Sequence, residues 1–422
     1  MRFGRGAFDH RGRDSGSCAF TKMGRGGCST GIRFGIRPGA AQNAGSPPAR
    51  DPVTRPARGP YDGRFSMDVN KMKEMIGFMD PEGRVDEEVF KGIPEELIHR
   101  MYRLMIFTRL CNNKALSLQR QGRVGTLASV RGQEAANVGV GLAMEPGDWF
   151  LPSFREYGAQ FARGVKAIDL FTYWSGDERG IKPPENSRVL PICITVGSHL
   201  CHAVGIAMQA RIRDEKIAVL SSSGDGSTSQ GDFHEALNFA AVYKLPVVFA
   251  IQNNGWAISV PFGKQTATET ISQKAAAYDI DGARVDGNDV FAVYLTVKRL
   301  LDAARNDHRP ALIELVTYRM DDHTTADDAS RYRKREEVEA WIEKDPIDRL
   351  RKFLSRKYGW DEKKEEELQA ALTQEVEETV AAFEAESPPE PTDIFNYMYS
   401  EEPWHIREQR DEVKRTVGES SR

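Results

Sequence analysis

The sequence has little cysteine, no long apolar run and no excess of positive charge. Its five cysteines among 422 residues match neither a disulfide framework nor a zinc-ligand spacing. We interpret Cys111, Cys193 and Cys201 as buried thiols in a reducing compartment. No stretch approaches the roughly 18 uncharged apolar residues of a membrane-spanning helix. A formal net charge of −4 argues against nucleic-acid binding through bulk charge, so the composition predicts a soluble protein.

The first 66 residues differ in composition from the rest of the chain. They hold 11 Arg and 1 Lys against 4 Asp, with 13 Gly, 6 Pro and no Leu, and their net charge is +8, whereas that of residues 67–422 is −12. So few apolar side chains cannot offset the entropy of ordering the chain, which predicts a disordered tail. The tail fits a dispensable extension or a misassigned start codon, a transit segment, or a polyanion-binding arm.

The remaining sequence predicts one α/β domain with helical extensions at both ends. Apolar spacing predicts a helix over Pro94–Leu118, a second over Gly132–Met144, and one that follows a loop and continues to Leu170. Uniformly apolar strands that alternate with helices then predict a parallel sheet covered on both faces. The predicted elements of this part are helix His199–Arg213, strand Lys216–Leu220, helix Gln230–Tyr243, strand Pro246–Gln252, strand Ala283–Val285, helix Asp289–Arg305 and strand Ala311–Tyr318.

After Tyr332 the sequence is charged and helical. Asp345 before Pro346 is typical of a helix start. An apolar stripe should pack on the body or on a partner, and it consists of Leu368, Leu372, Val376, Val380 and Phe383. We place the boundaries of the ordered part at 67–386, followed by a C-terminal tail at 387–422.

Polar residues follow two predicted neighbouring strands. Gly224-Asp225-Gly226-Ser227 comes after one strand, and Asn253-Asn254 after the next, with one helical crossover between them. Glycines allow a close backbone approach to an anion, and the oxygens of Asp225 and Asn254 are ligands for a hard divalent cation. A metal-bridged diphosphate is the ligand we predict, because the spacing matches neither common nucleotide-binding motif. Taken alone, the two residues could equally be a helix cap and a turn residue.

These segments together resemble a known family. The Gly-Asp-Gly and Asn-Asn pair is similar to the thiamine diphosphate signature, and the chain from about Lys91 to Trp404 resembles alpha subunits of the heterotetrameric 2-oxo acid dehydrogenases. The matching segments include 132–135, 154–158, 285–289 and 318–333. The resemblance implies a thiamine-diphosphate-binding fold, with a parallel sheet and helices on both faces.

The resemblance also implies roles for individual residues. The Mg²⁺ ligands would be Asp225, Asn254 and the main-chain carbonyl of Trp256. The residues that bind the cofactor would be Arg155, Val196, Gly224, Asp225, Gly226, Ser227, Asn254 and His323. Among these, Arg155 would hold the diphosphate and Val196 would face the aminopyrimidine. Many members of the family have Tyr where this chain has Phe154, which removes one hydroxyl contact.

A loop over residues 321–333 resembles the family segment at the mouth of the active site. Its His323 would contact phosphate or assist acyl transfer to a lipoyl group. Asp321 and Asp322 replace the Gly-His or Gly-Pro of relatives, which bears on the shape of the loop. Thr324, Thr325 and Ser330 occupy the region that carries phosphorylated serines in mammalian relatives, and we expect no such regulation here. His199 and His202 are assigned to packing or to starting a helix.

The implied activity is oxidative decarboxylation of pyruvate, with branched-chain 2-oxo acids or acetoin as alternative substrates. The implied partners are a beta subunit in an α2β2 heterotetramer, which would supply the glutamate that activates the aminopyrimidine, and a lipoyl acyltransferase core. We expect no nucleic-acid or membrane partner and a bacterial cytoplasmic location, with the mitochondrial matrix as the alternative. A non-catalytic scaffold subunit is the competing hypothesis from another class.

Overall fold

The computed structural model describes residues 68–420 of the chain. The predicted tail at 1–66 lies outside the described residues, so its disorder stays a prediction. The boundary placed at residue 387 also stays a prediction.

A six-stranded parallel sheet forms the centre of the described part. The strands, in chain order, are β1 (Met75–Ile76), β2 (Trp149–Leu151), β3 (Val219–Gly224), β4 (Val247–Asn253), β5 (Trp256–Ala257), β6 (Val260–Pro261), β7 (Asp281–Asp286) and β8 (Ala311–Val316). The sheet order is β1-β7-β8-β4-β3-β2, and every adjacent pair is parallel. The remaining two strands, β5 and β6, form a separate antiparallel hairpin.

Helices flank this sheet and extend beyond it. They are α1 (Val69–Lys73), α2 (Glu87–Phe90), α3 (Glu95–Arg120), α4 (Glu134–Ala143), α5 (Tyr157–Ala162), α6 (Ala167–Trp174), α7 (Ser198–Ile212), α8 (Gly231–Tyr243), α9 (Val290–Asp307), α10 (Arg335–Ile342), α11 (Pro346–Tyr358), α12 (Glu362–Glu384) and α13 (Trp404–Ser420).

Strand β4 shows how both faces of the sheet become buried. Its alternate residues Val248 and Ala250 pack in the core cluster that contains α4 and α9, while Val247, Phe249 and Ile251 pack in the cluster that contains α7 and α8. Successive side chains of a strand point to opposite faces, so a strand buried on both faces must be apolar throughout. Each of the valine, phenylalanine and isoleucine side chains among them stabilises the fold by roughly 1.5–3 kcal/mol relative to an exposed one.

Two predicted features of the C-terminal helices are confirmed. Asp345 accepts hydrogen bonds from the main-chain N–H groups of Ile347 (2.9 Å) and Asp348 (3.3 Å), with Pro346 as the first residue of α11. On α12, the middle of the apolar stripe is buried: Leu372 packs in a cluster with α3 and α11, and Val376 and Val380 pack in a cluster with α3 and α6. The stripe therefore packs on the body of this chain.

Several boundaries differ from the predictions. Strand β3 begins at Val219 and continues through the three serines, because Ser222 and Ser223 pair with Ala250 and Ile251 of β4. The short edge strands β1 and β2 were not predicted, because their sequences show no distinct strand pattern. The helix predicted to reach Leu170 is interrupted, because a new helix begins where the Asp169 carboxylate accepts the N–H of Lys166 (3.2 Å).

The prediction of three buried thiols is wrong for two of them. Cys111 is buried on α3, whereas Cys193 and Cys201 are partly exposed. Cys193 lies in the segment before α7. Cys201 lies near the start of that helix and packs against the core cluster of α7 and α8, with its Sγ 3.6 Å from the carbonyl oxygen of Asp232.

Candidate active site

The two polar segments identified in the sequence meet at the carboxyl edge of the sheet. Strands β3 and β4 are direct neighbours, with Gly224 paired in register with Gln252. Asp225 therefore leaves the sheet beside Asn254, which follows the last residue of β4. The predicted adjacency is confirmed, and it places both side chains where parallel α/β sheets bind their ligands.

The turn after β3 is compact and holds a buried carboxylate. Asp225 is 1% exposed, and its Oδ2 accepts a hydrogen bond from Gln265 Nε2 at 2.6 Å. Burial raises the pKa of Asp225, since a charge is costly without solvent. At Gly226 a Cβ atom would lie 2.9 Å from Cβ of Ala257, so any side chain at this position would force Ala257 of β5 to move. The Ser227 hydroxyl closes the turn by donating to the carbonyl of Gly224 (2.7 Å).

The turn after β4 presents two further oxygen atoms. Asn254 donates from Nδ2 to Gln133 Oε1 (3.2 Å), and its Oδ1 accepts the N–H of Trp256 (3.3 Å). This orientation leaves one lone pair of Oδ1 available. The main-chain carbonyl of Trp256 accepts a hydrogen bond from Arg319 Nη1 at 3.4 Å.

The donor set suits a hard divalent cation with a diphosphate. A carboxylate, an amide oxygen and a main-chain carbonyl are oxygen ligands of the type that Mg²⁺ prefers. Gln133 Nε2 and Arg319 Nε are buried N–H donors without a hydrogen-bond partner within residues 68–420, and such donors favour an anion. Both observations fit the group that the sequence predicted.

Arg155 is buried at the same edge. Its guanidinium donates to the carbonyl oxygens of Ser129 and His323, the latter at 3.1 Å, and lies 5.4 Å above the ring of Phe154. Burial, followed by repulsion from the charge of Arg319, lowers the pKa of Arg155 to about 10. Phe154 therefore orients the arginine by stacking rather than through a hydroxyl group.

Arg319 is a site residue that the predictions did not single out. It is fully buried, and its Nη2 donates to the carbonyl of Ile258 (2.8 Å) and to the hydroxyl of Tyr332 (3.0 Å). Burial lowers its pKa. The signal was present, because Arg319 follows β8 and belongs to one of the matching segments. Two of its acceptors, the carbonyls of Trp256 and Ile258, come from a distant part of the chain.

The loop at 321–333 is held by its acidic residues. Asp321 accepts a hydrogen bond from the Ser129 hydroxyl (2.6 Å), and Asp322 accepts the N–H of Ala329 (2.8 Å). Asp327 accepts the N–H of His323 (3.0 Å) and the hydroxyl of Tyr332. The two aspartates that depart from the family pattern thus stabilise the conformation of the loop.

His323 lies beside the two buried arginines. Its ring is 6.1 Å from that of Phe154, centroid to centroid, in an edge-on arrangement. Burial, then the charges of Arg155 and Arg319, lower the pKa of His323 to about 4. The imidazole is therefore neutral near pH 7 in the chain without a bound anion.

A buried polar network, which the sequence did not reveal, lies next to the site. Glu156 Oε1 accepts hydrogen bonds from Gln252 Nε2 (3.1 Å) and from the Ser222 hydroxyl (3.3 Å). Gln252 Oε1 accepts from Asn137 Nδ2 (3.0 Å), which connects the network to α4 beside Gln133. The polar pair Gln252 and Asn253 at the end of an otherwise apolar strand was the available signal.

The remaining predicted residues lie at the start of α7. Val196 is 38% exposed and precedes this helix. His199 is buried, with Nε2 2.8 Å from the carbonyl oxygen of Ser222, which agrees with a packing role. His202 is exposed, so it does not pack in the core.

Fold and site define an α/β protein whose ligand-binding edge lies at the carboxyl ends of parallel strands. Residues 102–392 match the family model described as "Dehydrogenase E1 component". The pyruvate dehydrogenase E1 component subunit alpha of Acholeplasma laidlawii is 41% identical over 80% of this chain and 98% of its own length. The 3-methyl-2-oxobutanoate dehydrogenase subunit alpha of Mycobacterium tuberculosis is 38% identical over 81% and 94%. The pyruvate dehydrogenase E1 component subunit alpha of Staphylococcus aureus is 36% identical over 82% and 94%.

The chain belongs to the dehydrogenase E1 component family, whose members depend on thiamine diphosphate. This confirms the predicted fold and the predicted function as the alpha subunit of a 2-oxo acid dehydrogenase, an oxidoreductase. An alpha subunit of this family works in a complex with other subunits. Between residues 68 and 420, no helix combines the length and the apolar character needed to cross a bilayer.

We predict that His323 of the ligand-free chain titrates at about pH 4. Because this value lies below that of an unfolded histidine, the unfolded chain binds the proton more tightly, and His323 lowers stability as pH falls from about 6.5 towards 4. Nuclear magnetic resonance of histidine-labelled protein measures the titration, with His323→Gln identifying the signal. Arg319→Met should raise this pKa, and Arg335→Met, at an exposed arginine, should leave it unchanged. Titration of wild-type His323 near pH 6.5 would contradict the prediction.

Proposed function

We propose that the chain is the alpha subunit of a pyruvate dehydrogenase that uses Mg²⁺ and thiamine diphosphate. It would decarboxylate pyruvate and pass the acetyl group to a lipoyl group on an acyltransferase core. The observation that carries this proposal is the convergence of Asp225, Asn254 and the Trp256 carbonyl at one edge of the sheet, close to buried Arg319. Two of the relatives described above, both at 36% identity or more, are named for pyruvate.

Each site residue has a role in this proposal. Asp225, Asn254 and the carbonyl of Trp256 bind the metal ion. The diphosphate is bound by the turn after β3 and by Arg155, whose guanidinium lies over the ring of Phe154. The turn residues concerned are Gly224, Gly226 and Ser227. Val196 faces the aminopyrimidine ring. Thiamine diphosphate, when bound, supplies the electron sink that decarboxylation of a 2-oxo acid requires.

His323 acts in the acyl-transfer half of the reaction. Its imidazole is neutral near pH 7 because burial and two arginines oppose protonation. A neutral imidazole can accept a proton at one ring nitrogen and donate one at the other, which suits proton transfer to or from an incoming lipoyl group. A bound diphosphate would offset the charges of Arg155 and Arg319 and so bring the pKa of His323 closer to neutrality.

The beta subunit is the partner we propose for an apolar surface on α7 and α8. The surface, which we call the α7–α8 face, consists of Ile212, Phe239, Val242 and Tyr243, whose side chains are 77%, 51%, 66% and 50% exposed. Adjacent exposed apolar residues of this size mark interaction sites in soluble proteins. The complex would be an α2β2 heterotetramer in the bacterial cytoplasm, and it would act with the lipoyl acyltransferase core.

A branched-chain substrate is the second candidate. The Mycobacterium tuberculosis relative, named for 3-methyl-2-oxobutanoate, is 38% identical to this chain, which lies between the values of the two relatives named for pyruvate. Overall similarity therefore does not separate the substrates, and a direct comparison is required.

We predict that the chain, co-expressed with its beta subunit, decarboxylates pyruvate faster than 3-methyl-2-oxobutanoate when Mg²⁺ and thiamine diphosphate are present. The discrimination should be at least about tenfold in kcat/KM, since two extra methyl groups must be accommodated in a site shaped for a smaller acid. Release of CO₂ from each acid measures it. Faster turnover of 3-methyl-2-oxobutanoate would contradict the pyruvate assignment and identify the chain as a branched-chain 2-oxo acid dehydrogenase subunit.

We predict that Asp225→Asn weakens Mg²⁺-dependent binding of thiamine diphosphate by at least about 100-fold, because an amide cannot replace an anionic ligand of a hard cation. Isothermal titration calorimetry of the co-purified complex measures the affinity. Glu235→Gln, an exposed carboxylate on the helix that follows the same turn, is the matched control and should bind as wild type. Unchanged binding by Asp225→Asn would remove Asp225 from the metal site.

We predict that Val242→Glu weakens association with the beta subunit by at least about 30-fold, because a charge without a partner would be buried in an apolar contact. Analytical ultracentrifugation of the tagged alpha subunit with the beta subunit measures the assembly. Ile394→Glu, at another exposed apolar side chain, is the control and should assemble normally. Normal assembly of Val242→Glu would show that the α7–α8 face does not contact the beta subunit.

A further inference from the structure

Glu314 is a buried carboxylate in the interior of the sheet. It lies on β8, between β7 and β4, and is 0% exposed. Its neighbours on the strand are apolar. Burying a carboxylate there costs stability relative to an apolar side chain, which suggests that Glu314 has a specific role. Arg284 of the adjacent strand lies 3.9 Å away, from Nε to Oε2, and partly balances the charge.

One carboxylate oxygen holds the residue next to Asn254. Oε1 of Glu314 accepts a hydrogen bond from Asn253 Nδ2 at 2.7 Å. The other end of the same amide, Asn253 Oδ1, accepts the N–H of Gly255 at 3.2 Å. Gly255 has a φ of +85°, a conformation that requires glycine, so the amide supports a sharp turn. That turn presents Asn254 Oδ1 and the Trp256 carbonyl, two of the three proposed metal ligands.

The second carboxylate oxygen anchors the segment that returns to Asp225. Oε2 of Glu314 accepts the main-chain N–H groups of Ile271 (2.9 Å) and Ser272 (3.0 Å). The segment that ends there carries Gln265, whose Nε2 donates to Asp225 Oδ2 and to the carbonyl of Val260 (3.1 Å). Glu314 therefore connects to the third proposed ligand, Asp225, through this segment.

We propose that Glu314 is a positioning residue that sets the spacing of the metal and diphosphate ligands without touching either group. It holds the turn at 253–256 with one oxygen and the segment that carries Gln265 with the other. A carboxylate is suited to this task because it accepts three hydrogen bonds at once and donates none. The inference rests on the proposed function, because Glu314 can position metal ligands only if the proposed metal site is correct.

The geometry permits a test by exchange of chemical groups. In Glu314→Gln the carboxamide keeps an acceptor for Ile271 and Ser272 but turns an N–H group towards Asn253 Nδ2, so two donors face each other. In Asn253→Asp two carboxylates face each other. In the double variant Glu314→Gln/Asn253→Asp, the introduced amide donates to the introduced carboxylate, and every hydrogen bond is restored.

We predict that each single variant raises the Kd for Mg²⁺, measured by calorimetry at saturating thiamine diphosphate on the full chain co-purified with its beta subunit, by about 10–100-fold. The double variant should return to within about threefold of wild type. Asp148→Asn is the control: this buried carboxylate accepts the N–H groups of Ala218 (2.8 Å) and Glu145 (2.8 Å) at the opposite edge of the sheet. It should lower the thermal midpoint and leave the Kd for Mg²⁺ unchanged.

Several outcomes would overturn the inference. A Glu314→Gln complex with a lowered thermal midpoint and an unchanged Kd for Mg²⁺ would show a purely structural role. Should Glu314→Gln not fold, Asn253→Ala removes the hydrogen bond to Glu314 and the one from Gly255 but keeps those from Ile271 and Ser272 to Glu314. Wild-type affinity in that variant would equally refute positioning. Failure of the unchanged complex to bind thiamine diphosphate with Mg²⁺ is a distinct result, which would overturn the proposed function and this inference with it.

Discussion

The parallel pairing of β3 with β4 is the constraint on which the site depends. Because Gly224 lies in register with Gln252, both strands end at the same level and release Asp225 and Asn254 side by side. A one-residue slip would turn the side chains of β3 to the opposite faces of the sheet and shift Asp225 relative to Asn254. The register is held by the apolar side chains of β4, which alternate between two separate core clusters. The chemistry of the site is thus set by the packing of the core.

The second organising feature is the charge buried at this edge. Arg155 and Arg319 are both buried, and each lowers the pKa of His323. These two neighbouring positive charges are stabilised by hydrogen bonds to main-chain carbonyl groups from several segments. The carbonyl of Ser129 accepts from Arg155, and those of Trp256 and Ile258 accept from Arg319. An arrangement of this kind favours an anionic ligand, since its charge offsets a repulsion already present in the protein. The affinity for diphosphate that we propose and the neutral His323 near pH 7 share this cause.

Loop and sheet are coupled through the same arginines. Arg155 donates to the carbonyl of His323, and Arg319 donates to the hydroxyl of Tyr332. The loop at 321–333 is therefore tied to side chains that border the proposed diphosphate position. The acidic residues of the loop complete its conformation through Ser129, Ala329 and the N–H of His323. An event at the cofactor site can therefore be transmitted to the loop through a few hydrogen bonds.

The sequence by itself determined the parallel sheet, the adjacency of Asp225 and Asn254 and the capping of α11 by Asp345, because each depends on a local pattern of apolar spacing, turn residues or caps. It also determined the family, since several separated motifs occur in one order. Only the tertiary structure decided the partners of Arg319, Gln133 and Glu314. Several of their contacts join segments that are far apart in the chain, as from Ile271 to Glu314 over 43 residues and from Gln133 to Asn254 over 121. No local pattern encodes such contacts, because they arise from the order in which strands pair and helices cover the sheet.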